Sequence, residues 1–109
     1  MELEIIRMDE VEEAQTPRKI EVRKVLKKKD VQVVYLKFKP GEELPLHTTK
    51  VDVFFYIVEG KGRVTVGDEQ EMVGEKEIIF SPAGVPHALE NVGEGLFKVL
   101  VVKTPNPEM

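Results

Sequence analysis

Short stretches of alternating apolar and polar residues dominate this chain. Residues 20–23 alternate in this way, and the β-branched and aromatic run 31–39 places Val34, Leu36 and Phe38 on one side. A period of two residues is typical of a strand with one buried face, because successive side chains point to opposite faces of a sheet. The pattern predicts a strand over each stretch.

The segment 51–58 is different because it is almost continuously apolar. Such a run predicts a strand that is buried on both faces, with Phe55 and Ile57 on one face and Phe54 and Tyr56 on the other. One face fills the core, and the other needs cover from a second layer. In so small a chain a partner subunit is a suitable cover, so we expect a homodimer.

Further short strand signals follow, each ended by glycine or proline, over 63–66, 71–73, 77–80, 88–92 and 96–103. In the last of them we expect Phe97, Val99 and Val101 to lie on one face, opposite Lys98 and Lys103. Many short strands separated by turn signals predict an all-β antiparallel sandwich or barrel. The only helix signal is a capping-box pattern that begins at Asp9, which predicts at most one short N-terminal helical turn before Pro17.

Composition narrows the functional classes. A chain of 109 residues is expected to form one domain, over 1–109. Sixteen basic and twenty acidic side chains leave a net charge of −4, so no broad basic surface is offered to nucleic acid. The one basic run, 24–29, is interpreted as a solvated hairpin tip. The absence of cysteine excludes thiolate catalysis and sulfur-ligated metals.

No apolar stretch reaches the ~20 residues that are needed to span a bilayer. No signal peptide is evident at the N-terminus, so we expect no membrane partner and a cytoplasmic location. Lys and Glu are abundant, whereas Gln and Asn are few. This composition is typical of a heat-adapted source.

The candidate chemistry is concentrated on the only two histidines, His47 and His87. Imidazole is a common metal ligand and proton carrier near neutral pH. Both histidines lie in segments framed by turn residues: Gly41 and Gly60 around the first, and Gly74, Pro82, Gly84 and Pro86 before the second. Such residues predict that the chain reverses on either side of each histidine.

These segments resemble the two sequence motifs of the cupin family of small jelly-roll barrels. The matching residues are Gly41, His47 and Gly60 in the first motif, and Gly74, Pro82, Gly84, His87 and Asn91 in the second. The resemblance covers about residues 31–101. It implies an antiparallel double-stranded β-helix in which His47 and His87 converge, and it implies pairing of barrels as a homodimer.

The resemblance is incomplete at the metal ligands. The family site has three histidines and one glutamate, but Thr49 occupies the second histidine position and Val53 the glutamate position. Asp52 is one residue away and would point to the opposite face unless a bulge re-aims it. A divalent transition metal (Zn, Ni, Mn or Fe) on His47 and His87 would need water, substrate or another side chain to complete its coordination.

Three functions stay open at this point. The first is a small-molecule-binding barrel without robust catalysis, in which the pocket is formed by His47, Thr49, Val53, Phe55 and His87. The second is a metal-dependent enzyme of dioxygenase, isomerase or decarboxylase type, with His47 and His87 as metal ligands. The third is a protein-interaction module that uses the outer face of the sheet.

Other polar residues give weaker signals. Ser81 is the only serine, and no nucleophile elbow surrounds it, so we expect no serine nucleophile. Adjacent acids such as 12–13 and 42–43 are interpreted as solvated surface, because neighbouring side chains cannot face one pocket. Tyr35 and Tyr56 are interpreted as packing or interface residues.

Overall fold

A computed structural model describes residues 2–109 as two antiparallel sheets preceded by an N-terminal segment. That segment contains one 3-10 turn, Met8–Glu10. The strands are β1 Glu21–Lys28, β2 Val31–Phe38, β3 Glu43–His47, β4 Asp52–Glu59, β5 Gly62–Val66, β6 Glu69–Val73, β7 Ile78–Ser81, β8 His87–Glu90 and β9 Phe97–Thr104. The all-β prediction with one short helical turn is confirmed.

The order of the strands is that of a jelly roll. One sheet has five strands in the order β1-β2-β9-β4-β7, and the other has four in the order β3-β8-β5-β6. The last strand, β9, lies between β2 and β4, and β8 lies between β3 and β5, so strands far apart in sequence become neighbours. The predicted double-stranded β-helix is therefore confirmed.

The core fills the space between the sheets. Its aromatic members include Phe38 and Phe97, whose ring centroids are 5.5 Å apart. The buried apolar cluster comprises Ile20, Val22, Val34, Leu36, Phe38, Leu44, Val53, Phe55, Ile57, Val64, Val73, Leu89, Phe97, Val99 and Val101. Each fully buried large side chain of this kind contributes roughly 1.5–3 kcal/mol, so the inner faces of the strands supply the main stabilising term.

Burial along β4 corrects the prediction of a strand buried on both faces. Val53, Phe55 and Ile57 are at most 1% exposed, whereas Phe54 and Tyr56 are only half-buried. The strand thus alternates as a half-covered sheet does, with one buried face and one partly exposed face.

The last strand corrects a second prediction. Its residues pair in regular register with β2 and with the first half of β4, and Lys103 lies opposite the buried Gln32 on one side and the buried Val53 on the other. Lys103 therefore shares the inner face of β9 with Val99 and Val101. The prediction that Lys103 opposes these residues was wrong, since positions 99, 101 and 103 differ by two and point the same way.

Two motif glycines make turns that other residues would not tolerate. Gly60 has φ +84°, and a Cβ added to it would lie 2.1 Å from the carbonyl oxygen of Leu96. Gly84 has φ +80°, and its N–H donates to the carbonyl of Thr49 at 2.9 Å. This hydrogen bond joins the loop after β3 to the loop before β8, which are the two loops that flank the histidines.

An N-terminal arm, residues 2–18, is tied to β1 and β2. Glu4 pairs with Lys28 at 2.8 Å, and Asp9 pairs with Lys37 at 2.7 Å. Farther along, the N–H of Ala14 donates to the carbonyl of Val22 at 2.7 Å. In the part of the chain that the structure describes, no helix is long and apolar enough to cross a membrane.

Candidate functional site

The two histidines meet at one end of the barrel. They are directly opposite each other across the β3–β8 ladder. Their ring centroids are 4.6 Å apart and the ring planes are nearly perpendicular, at 89°. The link between Gly84 and Thr49 holds the adjoining loops together at the same place.

The protonation of His47 is fixed by its backbone partner. Its Nδ1 is 2.9 Å from the carbonyl oxygen of Pro45, and a carbonyl can only accept a hydrogen bond. Nδ1 therefore carries the proton, and Nε2 of the neutral ring keeps the lone pair. Burial lowers the pKa of His47, the Pro45 carbonyl raises it, and the charges of Arg18 and Lys103 lower it further. The net direction is downward.

His87 is held between two hydroxyl groups. Its Nδ1 is 2.8 Å from Oγ of Ser81, and its Nε2 is 3.3 Å from Oγ1 of Thr49. Each hydroxyl can donate or accept, so both neutral tautomers are satisfied. Burial lowers the pKa of His87 to about 4, and the charges of His47 and Lys103 add to this effect. His87 is therefore uncharged at neutral pH.

Next to these rings lies a cavity of about 350 Å³. Four of the five predicted pocket residues line it: His47, Thr49, Phe55 and His87. Phe55 forms an edge contact with His87, with ring centroids 5.2 Å apart. The fifth, Val53, does not line the cavity but is buried in the core cluster. The remaining apolar lining comes from Val22, Val34, Leu36, Leu44 and Val101.

The charged residues that line this cavity are all positive. Its lining includes the four cations Arg18, Lys24, Lys50 and Lys103, and no Asp or Glu of residues 2–109. We name this space the cationic cavity. Burial is the main cause that lowers the pKa of Lys103, although the nearby carboxylate of Glu108 raises it.

Sequence reasoning missed at least five polar residues of this site, among them Lys50, which follows Thr49 directly and received no role. Lys103 was assigned to the wrong face, although its spacing from Val101 would have placed it correctly. Lys24 was assigned to a solvated tip, but only 27–29 are exposed there. Ser81 was considered only as a nucleophile. Arg18 lies at the cavity because of the tertiary fold, which no local sequence pattern predicts.

The donor set does not fit a resident divalent metal. Within residues 2–109 no group of three or more His, Cys, Asp or Glu side chains could hold an ion. Asp52 does not replace the missing ligand, because it is exposed and does not line the cavity, and its Oδ1 accepts a hydrogen bond from the N–H of Ala83 at 2.9 Å. Two nitrogen donors among four cationic side chains would bind a dication weakly.

A second opening lies on another side of the barrel, between β6 and β7. It measures about 530 Å³, and its charged lining residues within 2–109 are Glu69, Glu71 and Glu77. We name it the acidic cleft. Neither histidine lines it.

Comparisons with known proteins agree with this architecture. Residues 34–103 match the Cupin domain family. The chain is 32% identical over 89 residues to the oxalate decarboxylase OxdC of Bacillus subtilis. That match spans 77% of this chain but only 23% of the enzyme.

Solved structures extend the likeness to almost the whole chain. TT1209 of Thermus thermophilus superposes with a TM-score of 0.83 at 26% identity, covering 96% of this chain and 100% of that one. KdgF of a Halomonas species gives a TM-score of 0.86 at 20% identity, covering 96% and 97% respectively, which shows a shared fold. With the family match extending over most of β2 to β9, this chain belongs to the cupin family.

Proposed function

We propose that this barrel binds a small molecule in the cationic cavity through His47 and His87, without robust turnover. The observation that carries the proposal is the meeting of two uncharged imidazoles, 4.6 Å apart, beside a cavity of about 350 Å³. Small-molecule sites are typically concave, mostly apolar and furnished with a few convergent polar groups. This cavity has that composition.

The two rings offer complementary hydrogen bonds. Nε2 of His47 is an acceptor, because Nδ1 is committed to Pro45. His87 offers either role, since a ligand that replaces Thr49 at Nε2 leaves the bond to Ser81 intact. The apolar floor around Phe55 excludes water from one side of a bound molecule, which strengthens these hydrogen bonds.

The second candidate is a metal-dependent enzyme that uses His47 and His87. It is favoured by the 32% identity to an oxalate decarboxylase. A metal on two imidazoles would draw its other ligands from water or substrate, so its affinity would depend on the substrate. Because only two protein donors are available, the binding function is the first candidate.

The decisive experiment combines metal analysis with a fragment screen by NMR. We expect less than about one metal ion per ten chains in untagged protein prepared without chelators, given two protein donors. Fragments should shift the ring signals of His47 and His87 and leave the methyl signal of Met72, in the acidic cleft, unchanged. His47→Ala should weaken binding, and its half-exposed position makes a folding defect easy to exclude by comparing spectra.

Two outcomes contradict the proposal. Stoichiometric metal that is lost in His47→Ala would favour the enzyme candidate, and turnover would then be sought with added Fe(II), Mn(II), Ni(II) or Zn(II). Fragments that shift Met72 but neither histidine would move the binding site to the acidic cleft.

We also propose that the chain forms a homodimer through the outer face of its five-stranded sheet. Six apolar side chains lie there in two aligned rows, which we name the outer patch: Phe54, Phe80 and Val102, and Tyr56, Ile78 and Leu100. Phe80 is 57% exposed. A second copy suits this patch because a two-fold axis sets identical apolar rows against each other, and the patch itself carries no charge that would select a different partner.

The dimer is tested by light scattering and sedimentation. Phe80→Glu should shift the protein to monomer, because a buried unpaired carboxylate is costly in an apolar interface. Leu46→Glu is the matched control, since Leu46 is 60% exposed but lies on β3, in the four-stranded sheet. A wild-type monomer at high micromolar concentration would contradict the dimer and leave the outer patch to the protein-interaction alternative.

A further inference from the structure

We propose that the ligand of the cationic cavity is a small organic anion, held through its anionic oxygens by Lys103 and Arg18. This inference rests on the proposed function, because it names the chemical class that the same cavity takes. Among residues 2–109 the lining of this cavity has four cations and no carboxylate, in a protein with a net charge of −4. An excess of one sign in a concave site attracts ligands of the other sign.

The position of Lys103 is the main argument. It continues the inner face of β9 after Val99 and Val101, and its neighbours across the sheet, Gln32 and Val53, are each 1% exposed. An inner-facing position with buried neighbours is usually apolar, because a charged side chain loses hydration there. No ion pair within 4.0 Å involves Lys103 in residues 2–109, and Glu108 supplies only a more distant counter-charge, so a lysine at this position is explained if a bound anion supplies a direct one.

The protein leaves most of these cations without a partner. Among the ion pairs within 4.0 Å in residues 2–109, Lys24 bonds Glu108 at 2.9 Å, but none involves Arg18, Lys50 or Lys103. The contact with Glu108 is informative, because it shows that this end of the barrel already accepts carboxylate oxygens. The hydrogen bonds from Lys24 and Gln32 hold the pKa of Glu108 below its ordinary value.

The histidines do not carry the positive charge. Lys103 is among the groups that lower the pKa of both His47 and His87, after the larger effect of burial. Burial is the main cause that lowers the pKa of Lys103 itself; the carboxylate of Glu108 offsets part of this effect, and the charges of Lys24 and Arg18 add to it. An anion bound between Lys103 and Arg18 would relieve this repulsion, whereas a metal cation would increase it.

The size of the cavity selects a small molecule. A volume of about 350 Å³ lies at the lower end of the range of roughly 300–1,000 Å³ that is usual for ligand sites. A carboxylic acid and a phosphate ester share the anionic oxygens that Lys and Arg recognise. The apolar floor favours an acid with an apolar body over a bare inorganic ion.

Three probes separate charge from shape. Mandelate and mandelamide share one body and differ in the anionic group, and phenyl phosphate carries a phosphate on a similar ring. Each is titrated into the protein to about 20 mM while NMR follows the side-chain signals of His47, His87 and Lys103. We expect saturable shifts with mandelate, phenyl phosphate or both, and at least about tenfold weaker binding of mandelamide.

Matched variants test the role of Lys103. Lys103→Met should weaken binding of the anion about tenfold or more, and Lys103→Arg should retain most of it. Lys98→Met is the control, because Lys98 lies on the outer face of the same strand, where its Nζ is 3.4 Å from Glu59. Amide spectra of the variants establish that each remains folded.

The outcomes distinguish this inference from the proposed function. Equal binding of mandelate and mandelamide, unchanged in Lys103→Met, would overturn the proposal of an anionic ligand. It would leave the proposal of a small-molecule site intact. If none of the three probes binds, both the proposal of an anionic ligand and the proposal of a small-molecule site would be overturned. Tighter binding of phenyl phosphate than of mandelate would identify the anionic group as a phosphate, and the reverse order would identify it as a carboxylate.

Discussion

The cationic cavity and the acidic cleft are two openings of one barrel with opposite chemistry. The cavity is the smaller, at about 350 Å³ against about 530 Å³, yet it holds both histidines and four cations. The cleft carries three glutamates and neither histidine. Size alone would select the cleft, whereas the convergence of polar groups selects the cavity.

This difference shows that a barrel of two sheets forms openings where the edge strands of the two sheets separate. Which opening can bind a ligand is decided by the side chains that line it. The wall of the acidic cleft is partly formed by exposed residues of the edge strands β6 and β7. The cationic cavity instead draws its floor from the core, through Phe55, Val101 and Leu36. A site built on core residues is rigid and water-poor, which suits recognition by hydrogen bonds.

The largest expected loss of stability comes from a substitution in the floor of the cationic cavity. Phe55→Ala should lower the free energy of unfolding by about 3–5 kcal/mol, because Phe55 is fully buried and its loss leaves a void. Ile79→Ala, in the wall of the acidic cleft, should cost only about 1–2 kcal/mol, since Ile79 is partly buried. Urea unfolding at one protein concentration measures both, and equal losses would erase the contrast between the two openings.

The next effect is a dependence of stability on pH that originates in the cavity. The pKa of His87 is about 4 in the folded protein and 6.5 when unperturbed. Between these values the unfolded chain binds a proton that the folded chain does not, so stability is complete above pH 6.5 and falls as the pH decreases towards 4. The loss is roughly 3 kcal/mol at most.

A variant without His87 separates this effect from that of carboxylates. His87→Gln should reduce the slope of the stability curve between pH 6.5 and 4, and the slope that remains below pH 6.5 includes that of His47, whose pKa burial also lowers. Ion-paired acids act at lower pH: the pKa of Glu21 is held below 4.5, chiefly by its hydrogen bond from Arg23, so its contribution is lost only as the pH falls below 4.5. An unchanged curve in His87→Gln would refute a buried neutral His87.

The smallest effect concerns the hydroxyl at the entrance. Thr49→Val should cost about 0.5–1.5 kcal/mol of stability, because it removes one hydrogen bond to Nε2 of His87 while Ser81 still binds Nδ1. The shape-matched control is Thr65→Val, whose hydroxyl accepts from the exposed Gln70. Nitrogen shifts of the His87 ring should change only in the first variant, and a change in both would show that the effect is not local.

The strands and their turns could be predicted because their determinants are local, whereas the double-stranded β-helix followed from the resemblance to the cupin motifs. Strand alternation and the turn residues Gly60 and Gly84 are legible in the sequence, and both glycines adopt the positive φ that the corners require. The meeting of His47 and His87 followed from the family motifs, and the structure confirms it. Within residues 2–109 the structure has one 3-10 turn and otherwise strands, and the residue pattern sufficed to predict this.

The electrostatics of the site could be predicted only in part. Lys103 was within reach of strand parity, and the error there was one of counting. The position of Arg18 could not be predicted from strand parity, because Arg18 lies in a segment without regular structure. Val53 was assigned to the pocket from its motif position, but the packing between the sheets encloses it completely, and no motif encodes that depth.

The N-terminal arm spans two surfaces that the barrel wall otherwise separates. At Asp9 it is fastened to Lys37, beside the outer face of the sheet, and at Arg18 it forms part of the wall of the cationic cavity. A molecule that holds Arg18 therefore also holds the arm on the sheet. By thermodynamic reciprocity, a partner that binds the arm from outside and changes the affinity of the cavity would itself be bound more or less tightly by the same factor when the cavity is filled, so these seventeen residues connect the exterior of the protein to its ligand site.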